Sequence, residues 1–432
     1  MRRQAFILLI LLFSELVIAQ SSKYSIDEIS NFFTQTRVAT ESHSALWDKN
    51  IYGPILLVDP NSREAFANVQ DANNELTPNS GIFIGKIPRD LPVSNTDITW
   101  NGTHWAMLSL PLPEKLYDRI DLVTHELFHC AQQALGFSPL REENNHLDLR
   151  DGRIYLRLEL AALEAALKSN RLSKSEEHIR NALIFRKYRQ MIYRGSQVSE
   201  NSLEILEGLA TYTGQVMSGR DKWEWREYLI HRINTFEETP SFVRSFAYET
   251  TPVYGFFLQQ KDYFWNKKVD NETNLTDFFS EVFGMDAPII FHTYVKQVAE
   301  DYNWRRIVDQ ETKRAKSNIS ILDEYREKFF EQPHLEIRLE DMKMSFDPKN
   351  LIPLDEDEGT VYPTIVIKDN WGILTVEEGG ALLRSDWRWV IVSEPLEITS
   401  SLLTGNGWEI ELNEGYQIEE LPDGNYLLIK SE

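Results

Sequence analysis

Cysteine is almost missing from this 432-residue chain: Cys130 is the only one. No intrachain disulfide can form, so stability has to come from burying apolar surface. After residue 19 no apolar run approaches the roughly 20 residues that a membrane-spanning helix requires. Low-complexity tracts and internal repeats are also missing. Positive charge is scarce. There are 45 Lys and Arg against 67 Asp and Glu, a formal net charge of -22. Such acidity argues against nucleic acid and anionic membrane surfaces as partners and leaves a cationic substrate open. What the chain does have is 42% hydrophobic residues, enough at this length for a large core and two domains.

The longest apolar run, AFILLILLF from Ala5 to Phe13, stands at the start, behind Met1-Arg2-Arg3 and ahead of Val17-Ile18-Ala19. Charged, apolar and small-residue parts in that order describe a secretory signal peptide, so residues 1–19 are set apart from the fold. The mature chain is expected to be secreted or periplasmic, with no membrane span.

Residues 25–48 carry helical spacing, with Ile26, Ile29, Phe32 and Phe33 on one side. Strands are predicted at Ile51–Val58, closed by the turn Asp59-Pro60-Asn61-Ser62, and at 81–85. Asn101-Gly102 between two β-rich runs predicts a type I′ hairpin over 96–110, with Trp100 and Trp105 stacking across the strands. Helical patterns then run with breaks to about Phe330. One covers 153–169, a second is opened by a capping box of Ser173 and Glu176, and a third covers 202–217. From Pro333 onward short strands alternate with turn signals such as Gly379-Gly380 and Asp423-Gly424, which predicts a small β-sandwich over 334–432. The fold class expected is α+β: an N-terminal sheet lobe, a mostly helical region, and a small all-β C-terminal domain with no visible catalytic residues.

One motif carries chemistry. His125-Glu126-Leu127-Phe128-His129 reads HExxH. On a helix, side chains four apart lie on one face, so both imidazoles can reach one ion, with Glu126 beside them to act on water. Ile120, Val123, Leu127, Ala131 and Ala134 supply the apolar stripe, and Gly136 is a fitting end. Cys130 points away round the helix and is expected to be a buried thiol. Catalytic zinc takes three protein ligands and keeps a fourth position open. Gln132 and Leu135 stand where a metzincin would have Gly and His, so the third ligand should be a carboxylate on a later helix. Glu159 and Glu207 both qualify; Glu159 also suits a partner of a ligating histidine, or an ion pair with Arg153 or Arg157.

Glu207-Gly-Leu-Ala-Thr-Tyr212, followed by Tyr248-Glu249, resembles in wording and order the Glu-Gly-Phe-Ala-x-Tyr and Tyr-Glu segments of gluzincin metallopeptidases of the alanyl-aminopeptidase type. That resemblance covers about residues 95–260 and implies a zincin domain over 20–333. It implies Zn2+ on His125, His129 and Glu207, and Glu126 as general base. Tyr248 would be the donor to the tetrahedral intermediate, with Tyr254 as its rival, and a peptide would be the substrate. The hairpin before the motif matches the strand that pairs with extended substrate in that family; His104 on it is expected to be a plain sheet histidine. The gap from His129 to Glu207 is longer than in aminopeptidases, with room for two helices, and their amine-binding Gly-x-Met-Glu-Asn strand is absent. A catalytically weak or inactive zinc-binding extracellular protein on the same scaffold is the alternative.

Overall fold

Residues 23–138, 143–285, 292–347, 350–355 and 357–431 are described by a computed structural model. The expected signal peptide, 1–19, lies outside them. Helix α1 (Ile26–Ser42) buries Ile29, Phe32 and Phe33, and its N-cap Ser25 accepts from the Glu28 amide. Strands β1 (Ile55–Val58), β2 (Glu64–Ala67), β3 (Thr77–Asn79), β4 (Ile82–Lys86), β5 (Thr96–Trp100) and β6 (Thr103–Ser109) form one sheet in the order β3-β4-β2-β1-β6-β5. Only β1 and β6 pair in parallel among these neighbours. Because side chains alternate along a strand, Ile55 and Leu57 enter the core shared with the helices. Leu56 and Val58 pack on the opposite face with Trp100, Trp105 and Met107.

Between β5 and β6, Asn101 and Gly102 both take positive φ, 48° and 72°, as a type I′ turn requires. The two tryptophans do not stack across it. Trp105 lies opposite Ile98, and its indole N–H donates to the Trp100 carbonyl at 3.0 Å. Strand β5 is left at the sheet edge.

Helices α2 (Leu116–Gln132), α3 (Arg150–Lys168), α4 (Leu172–Ile192), α5 (Ser196–Leu203), α6 (Leu209–Met217), α7 (Lys222–Phe236), α8 (Ala247–Lys261), α9 (Leu275–Val282), α10 (His292–Ala299) and α11 (Trp304–Arg326) follow. Helix α2 ends at Gln132 in a 3-10 turn closed by left-handed Gly136. This leaves Ala134 exposed rather than on the buried stripe. The expected capping box is absent too: α4 starts earlier, after Arg171, with no side-chain cap. Helices α3 and α4 make a hairpin inside the long gap between His129 and Glu207. Helices α5 and α6 run into one another through a π-turn, Glu204–Gly208.

Beyond α11, β7 (His334–Arg338) and β8 (Lys343–Phe346) open an all-β region of a seven-stranded and a six-stranded sheet among the described residues. Leu335 and Ile337 of the first sheet share a core with Ile365, Ile367 and Leu374 of the second, so the two pack face to face as a sandwich. Phe329, just past α11, packs on the outer face against Val361, Leu382 and Ile391. The fold is α+β, with an N-terminal sheet, a central helical region and a C-terminal all-β region.

Candidate metal centre

Helix α2 presents His125 and His129 towards the π-turn, and two contacts between α2 and the α5–α6 rod fix the distance. Near one end Gly214 lies against α2, where an added Cβ would come within 2.5 Å of the Asp121 carbonyl. Close approach of the two helices therefore needs glycine there. At the other end the Gln132 amide donates to the Leu206 carbonyl at 2.8 Å and reaches Ile205 O at 3.3 Å. Those carbonyls belong to the π-turn, a departure from α-helical bonding that recurs at functional sites. Gly208 lets the turn lie on α8, since a Cβ at this position would be 2.3 Å from Thr251 Oγ1.

The result is a tight cluster. His125 Nε2 and His129 Nε2 are 3.0 Å apart, and Glu207 Oε2 lies 3.5 Å and 3.3 Å from them. Bonds of about 2.0–2.1 Å at tetrahedral angles place ligand atoms about 3.3 Å from each other. The three separations thus suit one small divalent ion. The other ring nitrogens agree. Because the Gln132 N–H2 group faces two carbonyls, its oxygen faces His129 and accepts from Nδ1–H at 3.0 Å. Thr211 donates its hydroxyl hydrogen to the Glu207 carbonyl at 2.8 Å, so it can only accept from His125 Nδ1–H, at 3.4 Å. Both Nε2 atoms are left facing Glu207, as ligand histidines require.

Electrostatics follow from burial. Burial favours neutral His125 and lowers its pKa. Burial acts the same way on His129, but the Glu207 charge and hydrogen bond outweigh it and push that imidazole up to about 10. Glu207 is held well below the usual carboxylate range despite burial, by the His129 charge and the two imidazoles beside it. A proton therefore sits on this cluster at neutral pH unless a cation displaces it. Glu126 is 5% exposed, its Oε2 has no hydrogen-bond partner among the described residues, and burial pushes its carboxyl up to about 8. An unpartnered buried carboxyl oxygen beside converging imidazoles is out of place in a purely structural core.

Tyr248 also belongs here: its hydroxyl donates to Glu207 Oε2 at 2.6 Å and its ring stacks on His125 at 5.7 Å. Its rival Tyr254 does not. That side chain is fully buried and donates to Glu159 Oε1 at 3.0 Å. Glu159 is engaged elsewhere. It accepts from Arg186 at 2.7 Å and Arg189 at 2.8 Å, not from the expected Arg153 and Arg157, which pair with Glu311. Arg186 also forks onto Glu204 of the π-turn, with both bonds at 2.8 Å. Cys130 is half-buried rather than buried, and burial pushes its thiol up to about 12. His104 pairs with Asp97 on the exposed hairpin, at 2.9 Å.

Four contributors escape sequence reasoning. Gln132 has a usable signal, being three residues after His129 on one helix. Thr211 and Arg244, whose Nη2 is 3.5 Å from Glu207 Oε1, carry no local signal. Neither does the β8 segment Met344–Phe346, which lines a cavity of about 320 Å³ together with His129, Glu207 and Asp97. A larger cavity, about 790 Å³ between Tyr193 and Trp387, holds only one histidine, His146, tied to Glu200 at 2.8 Å. Comparisons with family models, curated proteins and solved structures find no match for the chain.

Proposed function

We propose that this protein is a secreted zinc-dependent peptidase. The observation that carries the reading is the convergence of His125 Nε2, His129 Nε2 and Glu207 Oε2 at 3.0–3.5 Å, beside the unpartnered Glu126 carboxyl. The donor set, two imidazoles and one carboxylate, suits zinc. A zinc ion held by these three residues would lower the pKa of a bound water towards about 7 and polarise a substrate carbonyl.

The chain's own residues supply the rest. Glu126 accepts the proton released as water attacks the carbonyl and returns it to the leaving amine. Burial raises the proton affinity of that carboxyl, which suits it to hold the proton between the two steps. Tyr248, freed from Glu207 once that carboxylate is engaged, donates its hydroxyl hydrogen to the developing oxyanion. Gln132 and Thr211 keep the two imidazoles oriented throughout.

The test is a digest of an unfolded protein mixture by the purified chain, read by mass spectrometry. Cleavage should stop with a chelator and return with stoichiometric zinc. Cleavage that persists after metal removal would refute the reading. Zinc bound at one equivalent without any cleavage would instead favour a binding protein on this scaffold.

A further inference from the structure

The C-terminal β region is not remote from the metal centre. Among the described residues, strand β8 is an end strand of the six-stranded sheet, paired only with Ile365–Asp369, and β5 is an end strand of the N-terminal sheet. Each edge therefore has a row of backbone N–H and C=O groups without a strand partner. Both edges open onto the same cavity: Asn95, Thr96 and Asp97 on one side, Met344, Ser345 and Phe346 on the other, with His129 and Glu207 also in its wall. Lys368, one strand from β8, forms an ion pair with Asp90 of the segment leading into β5, which ties the two sheets together beside the cleft. The space does not stop at the metal centre. A second cavity of about 630 Å³ shares Asn95, His125, Glu126 and Tyr248 with the first and continues towards Tyr228 and Phe236.

We propose that β8 is one wall of the substrate cleft, and that the substrate is an internal, extended stretch of polypeptide lying between the edges of β5 and β8. The proposal rests on the peptidase reading above and adds the part of the substrate that is recognised. An extended chain satisfies the backbone groups of a strand edge and sends alternate side chains to alternate sides. Met344 and Phe346, both half-buried, pack in part against the sandwich core and also line this cavity, where they offer an apolar subsite close to the scissile bond. Space on both sides of the catalytic residues accommodates chain running on in both directions, so neither substrate terminus has to be free.

The experiment uses matched fluorogenic peptide libraries, one blocked at both ends and one with free ends, with the full zinc-loaded chain. Ser345→Trp intrudes on the cleft without removing core packing, and Met344→Ala/Phe346→Ala removes the apolar subsite. Leu396→Ser, at the opposite edge of the same sheet, is the control. Ser345→Trp is expected to raise KM about tenfold, with zinc content and kcat within about twofold of the wild type. The double variant should lose the wild-type preference for one apolar position; should it fail to fold, Ser345→Trp alone decides. Unchanged KM and cleavage pattern in Ser345→Trp would overturn the proposal while leaving the peptidase reading intact. So would cleavage confined to peptides with a free end. If the wild type cuts no peptide at all, free or blocked, the peptidase reading itself fails and takes this proposal with it.

Discussion

Glu126→Gln should lower kcat for peptide hydrolysis by about 10²- to 10⁴-fold, the range that general-base removal costs, while one equivalent of zinc stays bound. Glutamine has nearly the shape of glutamate, and Glu126 is not among the three converging donor atoms. What it loses is the capacity to take a proton. Stability should hold or rise slightly, because the replaced group is a buried carboxyl with an unpartnered oxygen, pushed up to about 8 by burial and by its neighbours Glu207 and Asp97. Turnover numbers, zinc content and thermal midpoint measured on one preparation check all three statements. Full activity with zinc retained would remove Glu126 from the reaction.

The second large effect lies away from the cleft. Arg186→Met should destabilise the protein by about 3–5 kcal/mol, the usual outcome when one partner of a buried ion cluster is removed. Arg186 is fully buried between Glu159 and Glu204, and Glu159 and Glu200 share Arg189. Methionine fills much of the volume but leaves two carboxylates short of a partner. Because Glu204 opens the π-turn that carries Glu207, zinc affinity should fall as well. Thr250 and Thr251, at 2.7 Å and 3.1 Å from Glu204 Oε1, cannot replace a guanidinium. Urea unfolding of the metal-free protein gives the stability change directly. A loss below about 1 kcal/mol would mean that the cluster relaxes more freely than its burial implies.

Features legible in the sequence are those encoded by close spacing. Two histidines four apart on an amphipathic helix stay on one face in the fold, and Asn101-Gly102 takes the two positive φ values that its turn type demands. The alternating strands after Pro333 form a sandwich for the same local reason. That Glu207 rather than Glu159 lies beside the two histidines is harder to read, because Glu159 is held by Arg186 and Arg189 from another helix. The nearer arginines, Arg153 and Arg157, are drawn off to Glu311, over 150 residues along the chain. Helix ends depart from expectation where hydrogen bonding changes without a change in apolar pattern, as at Ala134 and before Ser173. The π-turn leaves no trace in hydrophobic periodicity, yet it sets the position of Glu207. Nor can local pattern reveal that β8, far beyond Glu207 in the chain, lines the same cavity as His129 and Glu207.

The proposed peptidase depends on His125, His129 and Glu207 holding one divalent ion together. Zinc-edge X-ray absorption of the full chain loaded with one equivalent addresses it most directly. Four light-atom neighbours at about 2.0–2.1 Å, two of them imidazole nitrogens, are expected, with Glu207→Ala losing one protein oxygen and most of the affinity. A spectrum with fewer than two imidazoles, or an unchanged one in Glu207→Ala, would contradict the account.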